Sequence, residues 1–364
     1  TLSSSSAASD VYKRQKSCRR TLLLGRARRP ASSVVRGGAA GGLDCLDMVA
    51  HSPVTVGFDI GGTNTRAAVV DATGAIVESL GTPTPHDAEG LTDTIVRMVG
   101  ELRATHDVGA VGVAVAGFLD PSCEVVRFAP HLAWRDDQPV RRDLEEALSL
   151  PVRLEHDANS AAWGEYRYGA GRDLETWVFF AVGTGIGATL MHRGEIYRGA
   201  FGTAPEFGHI TVVPGGRVCS CGKQGCLERY ASGTSLVDCA IDIATEGSFK
   251  DSAVYRAVVE KRASGHDIMA AARGGDELGL AALDSFATWL GRGLAIVADV
   301  LDPAHIVLGG GVSDDADLFL DHARTSMEAN IVGAGYRPLP EILCAELGSR
   351  AGMIGVADLA RELL

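Results

Sequence analysis

The sequence predicts an α/β protein built as two lobes. Two observations predict it: strand-like apolar runs alternate with helical periodicity along most of the chain, and three of those strands run directly into glycines. The first begins at Val54, where Val54 to Phe58 is apolar and β-branched and leads into Gly61 and Gly62. Ala67 to Val70 and Ala75 to Ser79 flank Asp71-Ala-Thr-Gly74, a hairpin turn by composition. Ile95, Met98, Val99 and Leu102 share one helical face within Leu91 to Arg103, and Val111 to Ala116 reads as a buried strand. Three adjacent strands, a helix and a further strand differ from the strict alternation of a Rossmann domain. Pro151 to Leu154 is a short strand, followed by the helix-former run Ser160 to Tyr166, and Trp177 to Val182 is a second buried strand ending in Gly183-Thr-Gly-Ile-Gly187. Residues 191 to 230 are rich in Gly, Cys and charge, and read as a loop region held by something other than a large apolar core. Helical periodicity then dominates from Ser235 to Val300. Ile306 to Leu308 runs into Gly309-Gly-Gly311, the third junction, and Gly352 to Leu364 reads as a terminal helix.

Composition narrows the function. The chain has 364 residues at 46% hydrophobic and 22% charged, enough material for two ordinary cores. No apolar stretch reaches the 18 or so residues of a membrane span, so no membrane partner is expected. The formal charge is -12, but residues 1 to 47 hold nine Lys or Arg against three Asp, a surplus of six positive charges that leaves the remaining chain at -18. So acidic a body argues against nucleic acid and for a small-molecule partner. The basic head, taken as 1–52, opens with a Ser run and has neither strand nor helix periodicity, so it is expected to be disordered. Its composition fits an organelle transit peptide or translated adapter sequence; the second reading is preferred, with a native start near Met48.

Three motifs carry chemistry. A strand ending in glycines presents backbone N–H groups to an anion, and three such junctions together imply phosphate chemistry, although each alone is ordinarily a tight turn. None carries the Lys-Ser or Lys-Thr of a Walker loop. Asp59 directly before Gly61 and Gly62 can orient Mg²⁺ or its waters, and Thr63, Asn64 and Thr65 can donate to phosphate oxygens. Asp157, between a strand end and a helix start, is either a helix N-cap or a base for a substrate hydroxyl attacking a phosphoryl group. Cys219, Cys221 and Cys226 lie within eight residues, with His209 ten residues before them, a suitable tetrahedral set for structural Zn²⁺. The rival disulfide would strain a C-x-C bridge and leave one thiol unpaired. Glu206 and Glu228 bracket that loop; ordinarily surface charges, here they can face sugar hydroxyls, and His209 can use one ring nitrogen for zinc and the other for substrate. The single body thiols Cys123, Cys239 and Cys344 suit a reducing, cytoplasmic compartment.

The ordered set Asp59-Ile-Gly-Gly-Thr-Asn-Thr, Glu155-x-Asp157-Ala-Asn159, Gly183-Thr-Gly-Ile-Gly187, Glu206-Phe-Gly-His209, Cys219-x-Cys221-Gly-x-x-Gly-Cys226-Leu-Glu228 and Gly309-Gly-Gly311 resembles the ROK family, and most closely its bacterial glucokinases, over about residues 54 to 364. The resemblance implies an actin-like ATPase (ribonuclease H-like) fold, with ATP and sugar bound in a cleft between two lobes. It divides the body into a small N-terminal lobe at 53–160, a large lobe with the zinc loop at 161–349, and a terminal helix at 350–364 returning to the small lobe. It implies ATP-dependent phosphorylation of glucose, with Asp157 as base for the 6-hydroxyl and Glu206, His209 and Glu228 as sugar ligands. His209 with the three cysteines would hold zinc, Gly61, Gly62, Gly183, Thr184 and Gly185 the phosphates, and Gly309, Gly310 and Gly311 the adenosine. His131 and His156 stand where many relatives have sugar-contacting Asn, and Gly117 stands in a changed turn, Ala114 to Phe118, as a sugar-side backbone position. Other hexoses, N-acetylglucosamine or N-acetylmannosamine are the alternative substrates, and polyphosphate an alternative donor disfavoured by the cysteine loop. A sugar-responsive repressor is the reading from another class, disfavoured because no pair of amphipathic helices precedes the first phosphate loop. A homodimer or homotetramer is the implied assembly.

Overall fold

The computed structural model describes residues 53–129, 132–247 and 249–364. The basic head expected at 1–52 and the candidate His131 lie outside the described residues. The first half runs β1 (Val54–Ile60), β2 (Asn64–Val70), β3 (Ile76–Pro83), α1 (Ala88–Arg103), β4 (Val108–Val115), β5 (Phe118–Leu119), β6 (Val126–Phe128), β7 (Arg135–Gln138), α2 (Val140–Leu148), β8 (Val152–His156) and α3 (Asp157–Tyr168). The second half runs β9 (Thr176–Val182), β10 (Ile186–His192), β11 (Glu195–Tyr197), α4 (Glu228–Ala231), α5 (Gly233–Thr245), α6 (Tyr255–Val259), α7 (Gly265–Arg273), α8 (Glu277–Leu301), β12 (His305–Gly309), α9 (Leu320–Asn330), β13 (Glu341–Cys344) and α10 (Ala351–Arg361).

Two five-stranded sheets have the orders β3-β2-β1-β4-β8 and β11-β10-β9-β12-β13. In each, the first three strands form an antiparallel meander and the last two run parallel to the first. This order, occurring twice, is the actin-like ATPase fold that the resemblance implies. The β2–β3 turn forms because Asp71 Oδ1 accepts from Thr73 N at 2.8 Å and Ala75 N at 3.0 Å. Asp87 caps α1 by accepting from Gly90 N at 2.7 Å, and the helix buries the expected face, Ile95, Met98, Val99 and Leu102.

Helices α3 and α10 cross closely. A Cβ on Gly164 would lie 2.5 Å from Ala351 O, and one on Gly355 would lie 1.8 Å from Ser160 O, so glycine at both positions allows the backbones to meet. Helix α10 also packs on β1 and β4 of the first sheet. The sequence expectation of no membrane-length apolar segment needs one correction: among the described residues, α8 is long and apolar enough to span a bilayer. Its apolar residues lie on nearly all sides because it is a core helix, with Leu278, Phe286, Leu290 and Leu294 buried among α5, α7 and α9.

Candidate functional site

Register brings the candidate residues to one edge. Ile60 pairs with Val115 across β1 and β4, and Val115 pairs with His156 across β4 and β8, so three parallel strands end in line. At these ends and just beyond them stand Asp59, the last residue but one of β1, with Gly61 and Gly62, Gly117, and Asp157. In the second sheet Gly309 pairs with Ala181, which sets the Gly183–Gly185 and Gly309–Gly311 turns side by side. Chain ends at the carboxyl edge of parallel strands are where open α/β sheets bind ligands.

The first turn is braced from behind. Gly61 N donates to Asn64 O at 3.0 Å, while buried Thr84 donates its hydroxyl to Gly61 O at 2.7 Å and its N–H to Thr63 O at 2.9 Å. Gly62, Thr63 and Asn64 are exposed. Thr65 departs from expectation: its side chain is fully buried, with its hydroxyl 3.1 Å from that of Thr84, because β2 has already begun its inward and outward alternation. It shapes the turn and cannot reach a phosphate from there. Burial pushes the Asp59 carboxyl up to about 6, with the Asp157 charge adding and Arg66 opposing. Such a carboxylate is favourably placed for a cation.

The second and third turns are tied to their surroundings. Gly183 O accepts from Gly233 N at 2.7 Å, and Thr184 O accepts from Thr234 Oγ1 at 2.7 Å, which joins the second turn to the start of α5. Gly310 adopts a left-handed φ of 84° and its carbonyl accepts from Ser313 Oγ at 2.7 Å.

A narrow cleft is lined by Gly117, Phe118, His156, Asn159, Gly202 and Glu206 among others. Asp157 begins α3, but its side chain is not the cap: His156 holds that position, and Asp157 Oδ1 lies 3.3 Å from His156 Nδ1 and accepts from Ala158 N at 2.7 Å. The carboxylate is 44% exposed, which leaves it accessible. Glu206 Oε2 lies 4.0 Å from His209 Nε2. Burial raises the Glu206 carboxyl above its ordinary value; Asp157 and Glu228 add to this, and His156 and His209 oppose it. Glu228 Oε2 accepts from Ile186 N at 3.0 Å. It therefore links the cysteine loop to the second glycine turn.

Ligand atoms of His209, Cys219, Cys221 and Cys226 all lie within 4.8 Å of one another. Cys219 Sγ is 3.6 Å from His209 Nδ1, and Cys221 Sγ is 3.6 Å from Cys226 Sγ. Sulfurs on a tetrahedral zinc at ~2.3 Å stand about 3.7 Å apart, so the donor set fits. The separation of the three sulfurs from the bonding distance of a disulfide agrees with this, and all three cysteines are free. His209 turns Nδ1 toward the Cys219 sulfur and Nε2 toward Glu206.

Two residues escaped the sequence reading. Arg198 donates to the buried Glu155 carboxylate, whose other partners include Asn159 Nδ2 at 2.9 Å. Its partner lies 43 positions away, and only the buried acid in β8 hinted that a cation must come from elsewhere. Thr84 directly follows β3, and its neighbours give no sign that it turns inward onto Gly61.

Comparison with known proteins accords with this geometry. The glucokinase of Streptomyces coelicolor is 40% identical over 312 residues, covering 85% of this chain and 98% of the relative. The crystal structure of a ROK family glucokinase from Streptomyces griseus in complex with glucose and AMPPNP superposes with a TM-score of 0.77 at 42% identity, covering 85% of this chain and 99% of that one. A ROK hexokinase from Thermus thermophilus gives a TM-score of 0.68 at 31% identity, covering 85% and 98%. The ROK family model matches residues 55–363, and the chain belongs to that family.

Proposed function

We propose that this chain is a glucokinase, transferring the γ-phosphoryl group of ATP to the 6-hydroxyl of glucose. The observation that carries the reading is the accessible Asp157 carboxylate at the line of strand ends, between the Asp59–Asn64 turn and the cleft bounded by Glu206. Glucose donates hydroxyls to Glu206, with His156, His209, Glu228 and the backbone at Gly117 completing its surroundings, and His131 joins them by resemblance. Asp157 takes the 6-hydroxyl proton as that oxygen bonds to the γ-phosphorus and the bond to the bridging oxygen breaks, releasing ADP. Exposed donors at Gly62 to Asn64 and donors at Thr184 and Gly185, in a turn closed by Gly183 N donating to Gly185 O at 2.9 Å, serve the phosphates, and Gly309 to Gly311 serves the adenosine. Magnesium bound with ATP would neutralise phosphate charge, with Asp59 as its protein carboxylate or the acceptor for its waters. Zinc held by His209, Cys219, Cys221 and Cys226 would stiffen the sugar loop without entering the reaction.

The division into lobes at 53–160 and 161–349, with closure around the sugar, belongs to the same proposal, as does a homodimer or homotetramer in the cytoplasm. The test is coupled ADP release across glucose, mannose, fructose, N-acetylglucosamine and N-acetylmannosamine. Glucose is expected to give the highest kcat/KM; preference for an acylated hexosamine would overturn the substrate assignment, and absence of turnover with all five would overturn the activity.

A further inference from the structure

We propose that Glu155 and Arg198 form a positioning pair that sets the 198–206 segment, and with it Glu206, against the hexose. This inference rests on the hexose-kinase reading of the cleft. Glu155 is 1% exposed in β8, two residues before Asp157. Arg198 donates to Glu155 Oε2, Arg153 approaches the same oxygen at 3.5 Å, and Glu155 Oε1 accepts from Asn159 Nδ2 at 2.9 Å and from His156 N at 3.1 Å. Asn159 in turn accepts from Thr189 Oγ1 of β10 at 2.9 Å. One buried carboxylate therefore connects the strand that leads to Asp157, the helix that follows it and the second sheet.

The fourth connection is the one that bears on substrate. Arg198 is the first residue after β11, and its carbonyl accepts from Ala204 N at 3.2 Å, closing a loop over 198–204. The far limb of that loop, Gly202 to Glu206, lines the cleft, and a Cβ on Gly202 would lie 3.0 Å from Leu119 O. Holding Arg198 fixes the near end of the segment, while contact with β5 limits its middle. The position of Glu206 follows from both.

Stability alone is a poor account of this pair. Burying an ion pair carries a desolvation cost that an apolar pair of similar volume would avoid. A fixed, directional contact is what hydroxyl recognition needs, since small displacements of a binding group weaken discrimination strongly.

The experiment compares Arg198→Met, Arg198→Lys, Glu155→Gln and the Glu155→Gln/Arg198→Met double variant in the full-length protein. Arg198→Met is expected to raise KM for glucose about tenfold while KM for ATP changes less than about twofold, and Arg198→Lys to recover most of that loss. The double variant should be no worse than the poorer single one, because the two residues act as a unit. Hydrogen exchange without substrate should accelerate across 198–206 in Arg198→Met and stay unchanged in β1 and β4. Equal rises in both KM values, additive effects, or unchanged exchange in 198–206 would each overturn the proposal. Failure of the parent protein to phosphorylate any hexose would reject the kinase reading and leave the exchange measurement to decide the loop assignment.

Discussion

Glu228 Oε2 accepts a hydrogen bond from Ile186 N at 3.0 Å, and a Cβ placed on the neighbouring Gly185 would lie 2.3 Å from the same oxygen. The cysteine loop and the second glycine turn are thus in direct contact through one carboxylate. Gly185→Ala should push Glu228 away or distort the turn, costing about 1–3 kcal/mol of stability and raising KM for ATP and glucose together. Glu228→Gln retains an oxygen acceptor for Ile186 and should preserve KM for ATP better than Glu228→Ala. Steady-state kinetics with thermal melting would check both, and a Gly185→Ala enzyme with parental constants would refute the coupling.

Asp157 makes few commitments to the fold. Its Oδ1 accepts from the adjacent Ala158 N–H, and the side chain lies at the start of α3, where a negative charge is favourable. Asp157→Ala should therefore melt within a few degrees of the parent and bind glucose within a few-fold by calorimetry, while kcat falls by about 10²–10⁴. Near-parental turnover would remove Asp157 from the role of base.

The His209, Cys219, Cys221 and Cys226 cluster sits in a segment with little regular structure, held by isolated bridges at Thr211 with Cys226 and Val218 with Gln224. Such a segment depends on a cross-link. Purified protein should contain about one zinc per chain by emission spectrometry, and chelation or Cys221→Ser should accelerate hydrogen exchange across 211–227 and raise KM for glucose. An active protein containing no zinc would reject the site.

What could be read in advance was local. Strand followed by glycine is a contiguous signal, so β1, β9 and β12 and their turns were legible, as was the hairpin around Asp71. The paired strands β5, β6 and β7 were not, because they span two to four residues with register shifts and show no usable period. The cysteine spacing and His209 were sufficient to name the four side chains that the fold brings within 4.8 Å of one another. Thr65 was grouped with Thr63 and Asn64 as a phosphate donor although the alternation of β2 turns its side chain inward, because the strand period was not carried to its first residues. Arg198 lay beyond local pattern, since only folding brings it to Glu155.

Asp358 in α10 is 6% exposed and gathers donors from α3: Trp163 Nε1 at 2.9 Å, Arg167 Nε at 3.0 Å and the Tyr168 hydroxyl. Burial pushes the Tyr168 phenol up to about 12, with its bond to Asp358 and the Asp358 charge adding and Arg167 opposing. Removing the acceptor leaves a half-buried indole and hydroxyl without their partner at the crossing of the two helices. Asp358→Ala should cost about 2–4 kcal/mol in urea unfolding, whereas Trp163→Phe, which removes one donor, should cost about 1 kcal/mol. Equal effects of the two would show that packing of the indole outweighs the hydrogen bonds.

Glu155 allows a pH test independent of turnover. Burial alone would raise its carboxyl, but the Arg198 charge and hydrogen bond, the Asn159 hydrogen bond and the Arg153 charge together hold it below the ordinary 4.5. A carboxylate with a depressed native value binds fewer protons folded than unfolded in the interval between the two. Its stabilising contribution is therefore complete above 4.5 and drains away as the pH falls below 4.5 toward the native value. Glu155→Gln should cost about 3 kcal/mol at neutral pH, because it leaves Arg198 without its counter-charge. The gap between variant and parent should narrow as pH falls below 4.5, since the parent then loses the same charge. Urea unfolding at neutral pH and at several acidic values would measure it; a gap that is constant across the series would mean that the Glu155 charge contributes nothing to the folded state.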